Sequence, residues 1–383
     1  MNIPFNIPYT TGREIDYIKQ SINNGHLSGN GPFTKKCQEY FEKKWGCKKV
    51  LLTTSCTDAL EMAAILIEIK PGDEIIMPSF TFVSTALAFS REGALIRFVD
   101  SRTDHPGMDE DKIEKLITKK TRAIVVVHYA GVACNMDKIM FLAKKYGLFV
   151  IEDAASAINS YYINRDGFKK PLGSIGHLAA FSFHETKNIQ CGEGGLLVIN
   201  DERFIKRSEI IWEKGTNRAE FYRAKINKYS WVDTGSSFLP SELIAAFLWA
   251  QIEELENIQE KRTKIWELYD SKLLSLNKSG FFRTPFIPEY ATNNAHMFYL
   301  ICKNNQDRDG LIKHLQKNNI LSIFHYLCLH KSKYYLSNSS WSRKLYNAEN
   351  YEKKIIRLPL YADLEEEKAN IIILRIKEFY DKK

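Results

Sequence analysis

The stretch Phe181-Ser-Phe-His-Glu-Thr-Lys187-Asn-Ile-Gln-Cys-Gly192-Glu-Gly-Gly195 places one lysine between a short apolar strand and a glycine-rich turn. A lysine is ordinarily a solvated surface charge, because its ammonium is costly to bury. Here an aromatic-hydroxyl-aromatic start and a Gly-Glu-Gly-Gly turn describe a side chain held in a cleft instead. Upstream, Phe149-Val-Ile151-Glu152-Asp153-Ala154-Ala155-Ser156 is an apolar run that ends in an acid pair and small residues. It reads as a buried parallel strand delivering Asp153 at its carboxyl end, where open α/β sheets collect their ligands.

Further upstream, Val50-Leu-Leu-Thr-Thr-Ser55-Cys56-Thr57-Asp58-Ala59-Leu60 runs from strand through a hydroxyl cluster into a helix. Unpaired N–H groups and hydroxyls at a helix N-terminus suit a phosphate. A lysine amine, a buried carboxylate and a phosphate cradle are the three grips that pyridoxal phosphate requires.

From Val50 to Ile199, short β-branched runs alternate with stretches of helical period. The pattern predicts strands over 50–53, 74–77, 95–99, 123–127, 148–151, 178–183 and 196–199, with helices over 57–69, 82–92, 109–117 and 136–146. Strand-helix-strand spacing of this kind implies right-handed crossovers and a mainly parallel sheet covered on both faces. Before it lie a helix over 11–23, the turn Leu27-Ser-Gly-Asn-Gly-Pro32 and a helix to Trp45; the turn suits either a ligand approach or a plain connection.

After Asn200 the pattern shifts to a helix over 202–214, a long loop over 215–240 and a helix over 241–274. The loop carries Phe221, Tyr222, Tyr229, Trp231 and Phe238, which favours an intersubunit contact over disorder. Beyond it, strands over 297–302 and 320–325 and helices over 309–317 and 364–380 form a smaller α/β unit. The expected division is a large cofactor-binding domain over 1–250 and a small domain over 251–383.

Composition narrows the function classes. The chain has 383 residues, 44% of them hydrophobic, enough for full-sized cores. Its formal charge of +8 comes with neither a zinc-finger spacing nor a long basic run, which argues against nucleic acid and fits a small anionic substrate. Seven cysteines without a Cys-x-x-Cys argue against a disulfide framework or a structural metal site and for a reducing cytoplasm. The opening residues lack the basic and apolar segments of an export signal, and no later run is apolar enough to span a membrane, so neither export nor insertion is expected. No Gly-x-Gly-x-x-Gly follows the first strand, which disfavours a dinucleotide-dependent oxidoreductase.

The three sites, in this order, resemble the DegT/DnrJ/StrS sugar aminotransferases, which have the aspartate aminotransferase fold (fold type I). The likeness covers nearly the whole chain and is carried by Phe181-Ser-Phe-His-Glu-Thr-Lys-Asn188, Gly215-Thr-Asn-Arg218, Gly235-Ser-Ser237, Val127-His-Tyr-Ala-Gly-Val-Ala-Cys134 and Asn294-Ala-His-Met-Phe-Tyr299. These strings are closest to members that aminate C4 of a dTDP-linked 4-keto-6-deoxyhexose to the galacto amine, with glutamate as donor.

By position, the resemblance makes Lys187 the lysine that holds the cofactor aldehyde, yields it to the amino donor and then shuttles protons. It pairs Asp153 with the pyridinium nitrogen, sets Cys56, Thr57 and Ser182 on the phosphate and stacks Phe82 on the ring. Phe82 also has a plain reading as a core residue opening a helix. Ser156 stands where glutamine is common, and Gly235-Ser-Ser237-Phe-Leu239 stands where Gly-x-Asn-x-Arg is common. Ser237 is thereby a candidate for the phosphate contact from a partner subunit, whereas Leu239 offers no guanidinium.

For the sugar nucleotide the resemblance points to His325, Tyr326 and His330, with Arg218 and Lys214 reaching the diphosphate from the partner of a homodimer. No metal is implied. The resemblance leaves open the amine configuration, including the gluco epimer, the nucleotide beyond thymidine, and the glycan served, whether O-antigen, enterobacterial common antigen or another. Two rivals are a sugar dehydratase, which carries histidine at the lysine position, and a non-catalytic regulator that binds cofactor or nucleotide.

Overall fold

The computed structural model describes residues 2–339, 341 and 343–381. Seven strands form the large sheet, in the order Lys49–Thr53, Gly195–Ile199, Leu178–Ser182, Phe149–Asp153, Thr121–Val127, Glu74–Pro78 and Leu95–Val99. Gly195–Ile199 runs antiparallel to both neighbours, and the other adjacent pairs are parallel. The fold is therefore α/β with a mainly parallel sheet. Its strands are apolar on both faces because helices cover both, which explains their near-continuous hydrophobic runs.

Local signals set the helices between strands. Met136–Tyr146 starts where the Asn135 side chain accepts the Lys138 N–H at 3.1 Å, and ends at Gly147, whose φ of 66° a side chain would strain. Pro32–Trp45 opens with proline at a position needing no N–H. Its first turn is capped from afar: the buried Glu242 carboxylate accepts the N–H groups of Gly31 (3.0 Å), Phe33 (2.7 Å) and Thr34 (2.9 Å) and the Thr34 hydroxyl. The glycines of the 27–32 turn permit that approach, since a Cβ on Gly31 would strike the Glu242 side chain and one on Gly29 would strike Leu239 and Pro240.

A second, antiparallel sheet has the order Phe282–Arg283, Phe298–Cys302, Ile355–Leu358 and Ile323–Phe324. Helices Leu255–Lys278, Asn305–Lys317 and Glu366–Tyr380 contribute to its separate core, around Tyr269, Phe298, Leu300 and Ile372. The buried Arg262 on the first of these helices donates to the carbonyls of Ala295 (3.2 Å), His296 (2.7 Å) and Leu360 (3.3 Å), tying it to the loops that flank the central strands.

Several elements differ from expectation. The segment over 109–117 forms two short 3-10 turns, Glu110–Lys112 and Glu114–Leu116. Its buried Glu110 is fixed by the Asn135 N–H (2.7 Å) and by Arg102 (3.1 Å). The helix over 241–274 is two helices, Glu242–Glu253 and Leu255–Lys278, separated at Glu254 (φ −102°, ψ 10°). The strand over 320–325 shortens to Ile323–Phe324, because pairing is confined to two residues of Ile355–Leu358. Ile355–Leu358 itself, central to the small sheet, was not expected. Among the described residues, no helix is long and apolar enough to cross a membrane, and no cluster of ligating side chains could hold a metal ion.

Candidate active site

A cavity of about 690 Å³ opens between the two sheets. Its floor comes from the large sheet. The strand Phe149–Asp153 ends in two acids that face opposite ways, as strand alternation requires. Glu152 points into the protein, where it accepts the N–H groups of Gly173 (2.8 Å), Ile175 (2.8 Å) and Gly176 (2.5 Å) and contacts His128 Nε2 at 2.9 Å. Although burial opposes it, this set of partners holds the Glu152 carboxyl below the usual carboxylate range. Asp153 faces the cavity. Its Oδ2 accepts the Thr85 hydroxyl at 2.6 Å and its Oδ1 the Ala155 N–H at 3.1 Å, and burial nevertheless pushes its carboxyl upward.

Lys187 follows the neighbouring strand Leu178–Ser182 and lines the same cavity. Its Nζ donates to Ser156 Oγ at 3.2 Å. Desolvation lowers its pKa to about 8, against the opposing pull of Cys56 and Asp153 and with help from Arg357. Behind it lies a buried polar network: His296 Nδ1 and Asn188 Oδ1 are 2.9 Å apart, and Asn188 Nδ2 donates to the Asn294 carbonyl at 2.8 Å. Asn294 in turn donates to the carbonyls of Ser156 and Ile158, both at 2.8 Å. The lysine is thus positioned from both sides of its own turn.

The start of helix Cys56–Leu66 closes one end of the cavity. Ser55 caps it by accepting the Asp58 N–H at 3.0 Å, and the first-turn N–H groups of Cys56 and Thr57 have no intrahelical acceptor. The hydroxyls of Thr57 and Ser84 meet at 2.8 Å, and Ser182 lines the cavity nearby. A Cβ on Gly195 would collide with the backbone of Ser55 and Cys56, so this glycine lets the antiparallel strand press against the helix start. A cradle of amides and hydroxyls, a buried carboxylate that has no cationic partner in hydrogen-bond reach among the described residues, and a depressed lysine amine fit a cofactor with a phosphate, a basic ring nitrogen and an aldehyde.

Phe82 is 58% exposed and lines the cavity, so the core reading fails for it and a ring-stacking position fits. His325 and Tyr326, just past Ile323–Phe324, also line it, and His325 Nδ1 lies 3.1 Å from the Tyr129 hydroxyl. His330 does not line it. Its Nδ1 lies 2.6 Å from the Ser79 hydroxyl, which also accepts the His330 N–H at 3.1 Å, and its Nε2 lies 3.5 Å from Glu349. The short 3-10 turn Leu329–Lys331 carries that ring away from the cavity, so proximity in sequence misplaced it.

Lys214, Arg218 and Ser237 also stand outside the cavity of their own chain. Lys214 donates its backbone N–H to the Ser236 carbonyl (3.0 Å), and Arg218 lies over the rings of Tyr222 and Tyr229. Cavity residues with no role predicted from sequence include Ser84, Thr85, Tyr129, His296 and Arg357. Tyr129 and His296 sit inside quoted strings, and Arg357 is a charge in the apolar run Ile355-Ile-Arg-Leu-Pro-Leu360, a signal that was available.

A sequence model of the DegT/DnrJ/EryC1/StrS aminotransferase family matches residues 8–377. The chain belongs to that family. This aminotransferase is 31% identical to the spore coat polysaccharide biosynthesis protein SpsC of Bacillus subtilis (strain 168), over 98% of this chain and 96% of that one. Among solved structures it superposes on DesV of S. venezuelae with a TM-score of 0.89 at 28% identity, covering 99% and 98% of the two chains. Helicobacter pylori PseC, described as an aminotransferase of pseudoaminic acid biosynthesis, shares the fold with a TM-score of 0.91 at 23% identity, over the whole of both chains. This is a pyridoxal-phosphate-dependent sugar aminotransferase.

Proposed function

We propose that this aminotransferase moves the amino group of L-glutamate to C4 of dTDP-4-keto-6-deoxyglucose, giving dTDP-4-amino-4,6-dideoxygalactose. The observation that carries the reading is the convergence of Lys187, Asp153 and the helix start at Cys56 on one cavity of about 690 Å³. The choice of sugar draws support from the strings around Lys187, Tyr129 and His296. The name of SpsC supports a role in making a surface polysaccharide.

When bound, pyridoxal phosphate supplies an aldehyde that accepts the donor nitrogen and a ring that stores an electron pair. Asp153, ionised, would hold the ring nitrogen protonated; Thr85 and the Ala155 N–H fix the orientation of its carboxylate. Cys56, Thr57, Ser84 and Ser182 would hold the phosphate, and Phe82 would pack against the ring. Lys187, with its pKa lowered to about 8, is neutral in a substantial fraction at mildly basic pH and would serve as the base that takes the proton from the donor carbon and as the acid that gives it back. Ser156 holds that amine in place between the two transfers.

His325 and Tyr326 contact the sugar. Desolvation, with Arg357 and Lys187 nearby, holds His325 well below its ordinary pKa, so it meets the sugar as a neutral imidazole. The exposed aromatics of the 215–240 loop, among them Tyr222 at 61% and Trp231 at 82%, support a homodimer in which Lys214, Arg218 and Ser237 reach the partner's cavity. A cytoplasmic location fits a chain of free cysteines.

The test is to incubate protein, pyridoxal phosphate, glutamate and dTDP-4-keto-6-deoxyglucose and to determine the C4 configuration of the product by NMR. A galacto amine is expected. A gluco amine would retain the chemistry and change the product; absence of any amine from this and other nucleotide-linked keto-sugars would refute the reading.

A further inference from the structure

His296 sits just before the strand Phe298–Cys302, is 4% exposed and lines the cavity. Its backbone is held on both sides, the N–H donating to Asn294 Oδ1 at 3.1 Å and the carbonyl accepting Arg262 at 2.7 Å. One edge of its ring is held as well. Asn188 Nδ2 donates to the Asn294 carbonyl at 2.8 Å and to Gln259 Oε1 at 3.1 Å, and because a backbone carbonyl can only accept, the orientation of that amide is fixed. Asn188 therefore turns its oxygen toward His296 Nδ1, 2.9 Å away, and Nδ1 carries the proton. A neutral imidazole protonated there has a bare acceptor at Nε2. That nitrogen has no hydrogen-bond partner among the described residues and is not sealed from solvent, so it opens onto the cavity. Desolvation, and then the charges of Lys187, Arg262 and Arg357, hold the ring well below its ordinary pKa and keep it neutral.

We infer that His296 Nε2 joins Ser156 as an acceptor for the Lys187 ammonium while the lysine carries its proton between donor carbon and cofactor, which makes His296 a positioning residue for that proton. The inference deepens the proposed role of Lys187 and rests on it. An ammonium has three N–H donors, and among the described residues Lys187 Nζ reaches one acceptor, Ser156 Oγ at 3.2 Å. A desolvated ammonium short of acceptors is costly, and in this reading Asp153 is engaged with the ring nitrogen. A neutral acceptor is also the suitable kind. A carboxylate there would hold the lysine charged and deny it the role of base, whereas an imidazole nitrogen steadies the ammonium without taking its proton. At the donor carbon the electron pair stays behind and the proton goes to Nζ; His296 receives a hydrogen bond only. A sugar hydroxyl is the competing partner for Nε2. The lysine is favoured because Asn188, the residue next to it in the chain, is the one that holds the ring, so lysine and acceptor keep their relative places.

The test uses the full-length enzyme loaded with pyridoxamine phosphate, in which Lys187 is free. Competitive acetylation across pH, followed by peptide mapping, reads the ionisation of Lys187 alone in wild type, His296→Asn and His296→Gln. Asparagine keeps an N–H near Nδ1 for Asn188 and loses the far acceptor; glutamine places an amide oxygen near Nε2. The Lys187 midpoint should fall by about one pH unit in the Asn variant, the scale of one hydrogen bond to a charged group, and return toward wild type in the Gln variant. The glutamate half-reaction should slow roughly tenfold in Asn on the same scale, with dTDP affinity changed less than twofold. A residue that only supports the fold would give the opposite order, with Asn near wild type. Melting curves identify a variant that does not fold, and wild type supplies an independent measure. Nitrogen-15 NMR of histidine-labelled enzyme should show a neutral ring protonated on Nδ1 whose Nε2 signal moves when glutamate frees Lys187. An unchanged midpoint in Asn, a loss confined to dTDP affinity, or the lack of such a ring overturns the inference. If wild type aminates no keto-sugar while the Lys187 midpoint still depends on His296, the assigned substrate fails and the positioning role stands.

Discussion

Replacing Thr85 with valine removes one hydroxyl and leaves the shape of the side chain nearly unchanged. The hydroxyl donates to Asp153 Oδ2 at 2.6 Å in a buried setting, and Asp153 keeps only the Ala155 N–H at 3.1 Å once it is gone. A hydrogen bond to a charged group contributes about 1.5–3 kcal/mol, and each 1.36 kcal/mol corresponds to one pKa step. Burial already raises the Asp153 carboxyl, so losing a donor to its charged form raises it further. Because Asp153 must be ionised to hold the ring nitrogen protonated, the acid limb of kcat/KM for the glutamate half-reaction moves to higher pH, by about one to two pH units on the same scale. Stopped-flow conversion of the cofactor spectrum, measured across pH, reads that limb directly. Thr85→Ser restores the hydroxyl and should return it to the wild-type position. An acid limb coincident with wild type, in a Thr85→Val protein that melts normally, would refute the role given to this pair.

Three further outcomes are expected. Ser156→Ala removes the acceptor of Lys187 Nζ and should slow turnover by roughly fivefold, the equivalent of a hydrogen bond of about 1 kcal/mol, with Ser156→Thr less affected; an unchanged rate in Ala would mean that the Asn188–Asn294 network alone positions the lysine. Glu242→Ala strips the remote cap from Pro32–Trp45, leaving three N–H groups and a hydroxyl without their acceptor, and should destabilise the fold by about 3 kcal/mol or more in chemical denaturation; a loss below ~1 kcal/mol would show that water replaces the carboxylate. Glu152→Gln should destabilise by about 3–5 kcal/mol at neutral pH, because a buried charge network loses its anion. The folded Glu152 lies below its ordinary value of 4.5, so its stabilisation is complete above that value and is lost as pH falls through the folded one. The gap between wild type and Glu152→Gln should therefore narrow in acid, and a gap independent of pH would contradict the assignment.

The large sheet was legible because its strands are buried on both faces and so read as unbroken apolar runs, bounded by capped helices such as Met136–Tyr146. Lys187, Asp153 and the Cys56 helix start were legible for a related reason, since each is a polar group at the end of such a run. The small sheet was harder: Ile355–Leu358 is four residues long and directly follows the helix Tyr346–Lys354, so no turn signal separates them. Arg357 was missed with its strand. His330 was misplaced because side-chain direction after Ile323–Phe324 depends on a 3-10 turn that periodicity does not register. Glu242 gave no local sign of its partners, which lie more than two hundred residues away in sequence and meet it only through the packing of two helices.

The central claim is that Lys187 holds the cofactor in the cavity formed by Asp153 and the Cys56 helix start. Reducing the holoenzyme with sodium borohydride fixes a lysine-bound aldehyde as a stable amine, and peptide mapping by mass spectrometry then locates it. The account predicts one pyridoxyl-modified peptide, carrying the group on Lys187, and none from Lys187→Ala. Modification of a different lysine, or none at all in a protein loaded with pyridoxal phosphate, would contradict it.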